Sequence, residues 1–350
     1  MPTSKSKILR ILRISVAMLV VLAAGFVLWL AVPGQPSQAS SLSFDGYILL
    51  PKPKLLLNGM DYLNINGTDL FVTSVTDGSV YKADLRQPSL AFVPVSTFPG
   101  QGRAHGVVID PRSKLAFVTR STTNTVDAFD PETLRLVKRI PVADDPDGIF
   151  LLPDDGLVYA ASGDSKVATL IDPATQSVVG TISLGGRPEF AVYDPAKSRL
   201  YQNLEDANTV VAIDVKARSV VDRWPIGGCE GPSSLAMDFT SRRLFAVCSG
   251  NARLFVLDPD QHRIVTNLPI GSGPDSVAYD ATLHRIYSAG IGGVLNVVQQ
   301  DAPDSYRPLD AIRTHVGAHT LAVDPATHKV YVAYASVLTA PRVAVFTPKP

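Results

Sequence analysis

Seven positions of the chain stand at the same distance ahead of a recurring aromatic residue, and six of them carry a group that titrates or ligates. Counting back twelve residues from Phe117, Tyr159, Tyr201, Phe245, Tyr287 and Tyr331 gives His105, Asp147, Glu189, Ser233, Asp275 and His319. Counting back ten from Phe71, where one turn is two residues shorter, gives Asp61. Carboxylate oxygens brought together from separate segments suit calcium, and added imidazole moves the preference toward zinc or another transition metal. Asp61, His105, Asp147, Glu189 and His319 are therefore candidate ligands of a divalent metal, calcium or zinc. With Asp275 they are equally a candidate polar lining for a small-molecule or protein ligand, or a solvated rim that binds nothing. Arg103, Arg120 and Arg187 fall in the flanking loops, and guanidinium pairs well with carboxylate or phosphate, so they are candidate contacts for an anionic ligand. His315, Asp164, Glu205, Asp206 and Asn251 belong to the same set of loops. No Gly-x-Ser-x-Gly elbow, His-Glu-x-x-His or phosphate-binding Gly-x-x-x-x-Gly-Lys occurs. No catalytic residue is assigned, and a non-enzymatic role leads.

These positions converge only if the elements carrying them form a ring. The aromatics follow one another at intervals of 46, 42, 42, 44, 42 and 44 residues, which makes seven copies of one unit. A unit reads as four short strands. In the second copy they are 105–111, 115–119, 125–131 and 136–142, with β-branched residues, period-two alternation and Asp-Pro stops. The Asp side chain accepts from amides two residues on, while Pro presets φ and removes a ladder donor. Four strands per unit of this length predict an all-β, seven-bladed β-propeller. The last copy lacks its fourth strand, and residues 44–51 are strand-like and unassigned, so they are expected to close the ring as the outer strand of blade seven. His262, His284 and His328 fall in turns, and Trp224 on an outer strand between blades.

Gly186-Arg187-Pro188-Glu189 leading to Leu200-Tyr201, and Gly273-Pro274-Asp275 leading to Ile286-Tyr287, resemble the units of the YVTN-repeat, YncE-like propellers. The resemblance covers nearly all of the chain after residue 40. It implies the propeller fold, and DNA binding as one function within the family. Tyr-Val itself occurs only at Tyr331-Val332, and the Gly-His and Trp-Asp landmarks of the tryptophan–aspartate repeat class are missing.

Charge argues against nucleic acid. Lys+Arg and Asp+Glu both number 32, but Lys5, Lys7, Arg10 and Arg13 precede every acid, which leaves the remainder acidic by four charges. Behind those cations runs an uncharged apolar segment, 14–32. At 1.5 Å per residue it reaches roughly 28 Å, close to the thickness of a bilayer core, with its positive flank inside. Residues 1–39 are thus expected to be a signal-anchor or signal peptide with linker, and 40–350 the propeller. The chain would be exported: anchored in the cytoplasmic membrane facing the periplasm or exterior, or secreted if cleaved after Ala39 in Ser37-Gln38-Ala39. An exported location permits oxidation, and Cys229 and Cys248, the only cysteines, map to one face of blade five and are expected to form a disulfide. The function expected is a binding or scaffold module at the outer face of the membrane, holding an unidentified protein or small molecule at the channel mouth. A metal-dependent hydrolase or lactonase using the central Asp/Glu/His ring is the alternative.

Overall fold

The computed structural model describes residues 35–51, 57–87, 90, 95–337 and 340–350. The apolar segment 14–32 lies outside them. Among the described residues no helix is long and apolar enough to cross a membrane.

Seven four-stranded antiparallel sheets follow one another in the chain. Blade two is representative, with strands Ala104–Asp110, Leu115–Arg120, Thr125–Asp130 and Arg135–Pro141, innermost to outermost. The stops work through the aspartates. Asp130 Oδ1 accepts from the amides of Glu132 and Thr133 at 2.8 and 3.0 Å, and Asp258 Oδ1 from those of Asp260 and Gln261 at 3.1 and 3.0 Å. Four residues after such an aspartate the backbone turns left-handed, at Leu134 (φ 54°), His262 (φ 51°), His284 (φ 52°) and His328 (φ 60°). The three histidines are thus turn residues, and each has a local partner: His328 Nδ1 lies 2.8 Å from Asp280, His284 Nδ1 3.0 Å from the Tyr279 hydroxyl, and His262 stacks on Trp224 at 4.6 Å.

The recurring aromatic is the core residue of each second strand. Phe71, Phe117, Tyr159, Phe245 and Tyr287 are all fully buried, and each such side chain contributes roughly 1.5–3 kcal/mol of transfer free energy. The seams between blades are apolar in the same way; Trp224 packs edge-on to Tyr201 at 5.9 Å between blades four and five.

Ring closure follows the expected route. Blade seven contains Ala318–Val323, Val330–Tyr334 and Arg342–Pro348, and its outer strand is Leu42–Leu49, with Phe44 opposite Phe346. Ile48 is fully buried among Met60, Tyr331 and Val343, so the closing strand also seals the seam with blade one. The chain ahead of it is tied down too. Ser37 exchanges hydrogen bonds with the Arg313 backbone at 2.9 and 2.8 Å, and Ser40 and Ser41 donate to the Asp310 carboxylate of blade six. Cys229 and Cys248 are paired across blade five, with Cα atoms 5.6 Å apart, inside the range a disulfide spans without distortion.

Candidate functional site

Each ring position is the second residue of an innermost strand, and each strand carries one extra residue there. In blades one to four the ring residue and its successor together oppose a single residue of the second strand. The shifts fall between Met60 and Leu63, Ala104 and Val107, Pro146 and Ile149, and Pro188 and Ala191. In blades five to seven the ring residue alone is left over. A bulge of this kind re-aims the side chain that carries it. Neighbouring blades then pin the bulges. Thr119 Oγ1 donates to the Asp147 carbonyl and Thr320 Oγ1 to the Asp61 carbonyl, both at 2.6 Å, while in blade four Gln202 Nε2 of the same blade donates to the Phe190 carbonyl at 2.9 Å. Gly148 is required by the packing: a Cβ there would stand 2.8 Å from the Glu189 carbonyl oxygen.

The ring residues meet in two groups that share Asp61. Asp61, His105 and Asp147 form one, Asp61, Asp275 and His319 the other, and within each the ligand-type atoms lie within 4.8 Å of one another. His105 Nδ1 is 2.7 Å from Asp61 Oδ2 and 3.7 Å from Asp147 Oδ1, and its Nε2 is 2.8 Å from the Ser121 hydroxyl. Both ring nitrogens are therefore occupied, which suits an imidazolium better than a metal ligand. His319 differs: Nδ1 faces the Gly317 carbonyl at 2.9 Å, leaving Nε2 turned toward Asp275 at 3.8 Å. A backbone carbonyl on one nitrogen is what orients the other for a metal, so a divalent ion fits the Asp61–Asp275–His319 group better. Glu189 lies apart from both groups, 3.6 Å from the Arg187 guanidinium.

Burial and mutual repulsion shift these acids strongly. Glu189 is pushed up to about 10 by burial, then by the charges of Asp147, Glu205 and Asp275, against the pull of Arg187. Asp147 is raised to about 7 by burial despite His105, and Asp275 to about 6 by burial despite His319. Burial works against a charged His105, but Asp147 and the Asp61 hydrogen bond outweigh it and raise the imidazole to about 9. The Asp147 Oδ1 atom is buried without a hydrogen-bond partner. Taken together, the mouth is a ring of carboxyl groups short of positive charge.

The arginines do not form the expected anion site. Arg120 ends its strand rather than standing in a loop, and its side chain is fully buried. It pairs with Asp127 at 3.0 Å, donates to the Gly78 carbonyl and lies 5.5 Å over the Phe98 ring, so it bolts blade two to blade one and touches no ligand. Arg187 is enclosed by acids, at 2.9 Å from Asp145 and from Asp164 and 3.6 Å from Glu205. Its charge is spent inside the protein. Arg103 alone is exposed at the mouth, where it shares a 580 Å³ depression with His319. Ser233 turns away from the channel, donating to the Pro274 carbonyl of the next blade at 2.8 Å.

Sequence reasoning missed Tyr62, Phe150 and Phe190. They line a 320 Å³ cavity among the innermost strands of blades one to four, with Tyr62 and Phe150 both against Phe190, at 5.6 and 5.0 Å between ring centres. The Tyr62 phenol is raised by burial and then by the charges of Asp147, Asp61, Glu189 and Asp275. A signal existed in the residues after the ring positions. They are Tyr62, Gly106, Gly148 and Phe190 in blades one to four but Ser234, Ser276 and Thr320 in blades five to seven.

No family model matches the chain, and no curated protein does. Among solved structures it is similar to a chain of Kuenenia stuttgartiensis hydrazine synthase, with a TM-score of 0.71 and 18% identity over 83% of this chain and 96% of that one. It is also similar to a chain in a crystal structure of a mitotic checkpoint complex, with a TM-score of 0.67 and 13% identity over 89% and 91%. At such identities the likeness shows the seven-bladed propeller fold alone.

Proposed function

We propose that the chain is an exported, YVTN/YncE-like propeller that serves as a binding module and takes a positively charged group at its channel mouth. The observation that carries this reading is the convergence of Asp61, Asp147, Glu189 and Asp275 from four blades onto one opening, with Asp147 Oδ1 buried and without a hydrogen bond, its nearest cation His105 at 3.7 Å. Desolvated carboxyl groups at close quarters gain most from a cation that neutralises them. Calorimetric titration with methylammonium between pH 6 and 9 tests it. Saturable binding that strengthens with pH and releases protons is expected; no cation binding anywhere in that range would overturn it. The contacts of Ser37 with Arg313 support retention of the N-terminal segment as an anchor. Carbonate extraction of membranes and N-terminal sequencing of the mature protein test that part.

The Nδ1 contact of His319 favours a second reading, a divalent metal on Asp61, Asp275 and His319. Such an ion would supply Lewis-acid chemistry for a hydrolase or lactonase. Elemental analysis decides: stoichiometric calcium or zinc, lost on Asp275→Ala, supports this reading, and a protein that takes up neither ion when dialysed against both ends it.

A further inference from the structure

We infer that the channel binds an organic cation with a one-ring apolar body, its charged head among the acids of the mouth and its body in the aromatic cavity beneath them. This inference rests on the proposed cation-binding role of the mouth and names the ligand class. The two halves of the site are contiguous because the same four bulges build both. Asp61, His105, Asp147 and Glu189 face the mouth, and the next residue of each strand, Tyr62, Gly106, Gly148 and Phe190, lines the cavity. Adjacent Cα atoms are about 3.8 Å apart, so Asp61, His105, Asp147 and Glu189 each stand one residue along the strand from the cavity lining. At 320 Å³ the cavity lies at the small end of the range of about 300–1,000 Å³ usual for ligand sites, which limits the body to about one ring.

The lining is selective. Tyr62, Phe150 and Phe190 offer aromatic surface, which attracts a cation electrostatically as well as packing on its apolar part. A bare metal ion would leave this surface unused, and a neutral hydrocarbon would leave Asp147 Oδ1 without a hydrogen bond. An anion would face Asp61, Asp147 and Asp275, with the His105 imidazolium already held between Asp61 and Asp147 and Arg187 by Asp145 and Asp164. Arg103, exposed at the outer edge of the mouth, lines the outer depression rather than the cavity.

The test titrates the full-length chain, kept free of ionic detergent, at pH 8 with three probes. They are benzyltrimethylammonium, tetramethylammonium and benzyl alcohol, which carry head and body, head alone and body alone. Benzyltrimethylammonium should bind at least tenfold more tightly than either of the others, a factor within reach of one desolvated cation–aromatic contact. Phe190→Leu should bring it down to the level of tetramethylammonium, and Phe150→Leu serves the same purpose should the first variant unfold. Equal affinity for the two ammonium ions would overturn the inference while leaving the cationic mouth standing. Equal affinity for benzyltrimethylammonium and benzyl alcohol would overturn it by removing any role for the charge. Binding of none of the three would overturn both the inference and the reading on which it rests.

Discussion

Replacing Glu189 with Gln makes the strain in the acid ring visible as a pH dependence of stability. The Glu189 side chain is 16% exposed and titrates near 10, against 4.5 for an ordinary glutamate. Between those values the folded chain holds a proton that the unfolded chain has released. The contribution of Glu189 to stability is therefore fully present below pH 4.5 and falls as pH rises toward 10, by about 1.4 kcal/mol per pH unit for one proton. The Glu189→Gln variant has no such proton to lose. Between pH 6 and 8.5 position 189 is uncharged in the fold of both proteins, so His105 and Asp147 titrate against the same surroundings and their contributions cancel to first order. From pH 6 to 8.5 the stability of the variant relative to the natural chain should rise by about 3 kcal/mol. Urea unfolding at pH 6, 7, 8 and 8.5 measures the difference directly. Two profiles that run parallel would refute the reasoning, because they would mean that Glu189 is ionised in the fold.

The His105 imidazole should titrate near pH 9 by NMR, and Asp61→Asn should lower its midpoint by roughly one to three units; a midpoint near 6.5 in the natural chain would rule out the close Asp61 and Asp147 contacts. Arg120→Met should destabilise the fold by roughly 1–3 kcal/mol, because Asp127 loses its buried partner and keeps only the part-exposed Arg139, while leaving cation binding at the mouth unchanged; thermal unfolding and calorimetry separate the two effects. Unfolding without reductant should expose no reactive thiol, and Cys229→Ser with Cys248→Ser should cost roughly 3 kcal/mol for a loop of about twenty residues. Two titratable thiols in the unreduced protein would contradict the pairing.

The fold was legible because its signals are local and repeated seven times. An Asp-Pro stop or a fully buried Phe117 means the same thing in every blade, so even the closing strand Leu42–Leu49 could be placed, two residues ahead of the expected 44–51. The site was legible only in part. The ring positions follow from counting along each unit, but what each side chain does there depends on its neighbours across a seam. Arg120 shows the difference. Its position reads as a loop arginine, yet the partners that decide its role are Asp127 on the next strand and the Gly78 carbonyl and Phe98 ring of blade one. Arg187 is misread for the same reason, since Asp145 and Asp164, two of its closest acids, come from blade three.

The asymmetry of the channel carries the functional argument further than the ring does. A propeller that only scaffolds has no need to treat its blades differently at the channel. Here blades five to seven place Ser234, Ser276 and Thr320 after the ring position, and each bonds to another blade: Ser234 Oγ accepts from the Val277 amide at 3.2 Å, Ser276 Oγ donates to the Leu321 carbonyl at 3.4 Å, and Thr320 Oγ1 donates to the Asp61 carbonyl. Blades one and four give up that hydroxyl for Tyr62 and Phe190, and blades two and three for Gly106 and Gly148. The seam bond is then made from the second strand instead, by Thr119 to the Asp147 carbonyl and by Asn203 to the Pro232 carbonyl at 2.8 Å. At those two seams the bond is kept although the inner-strand hydroxyl is gone, and the four exchanged residues border an aromatic-lined space among blades one to four. The same four blades supply Asp61, His105, Asp147 and Glu189 above it. An aromatic-lined cavity and a set of acids built from one set of bulges, with the seam bond kept at two of the four blades, is the arrangement expected where a ligand, rather than packing, dictates the residues.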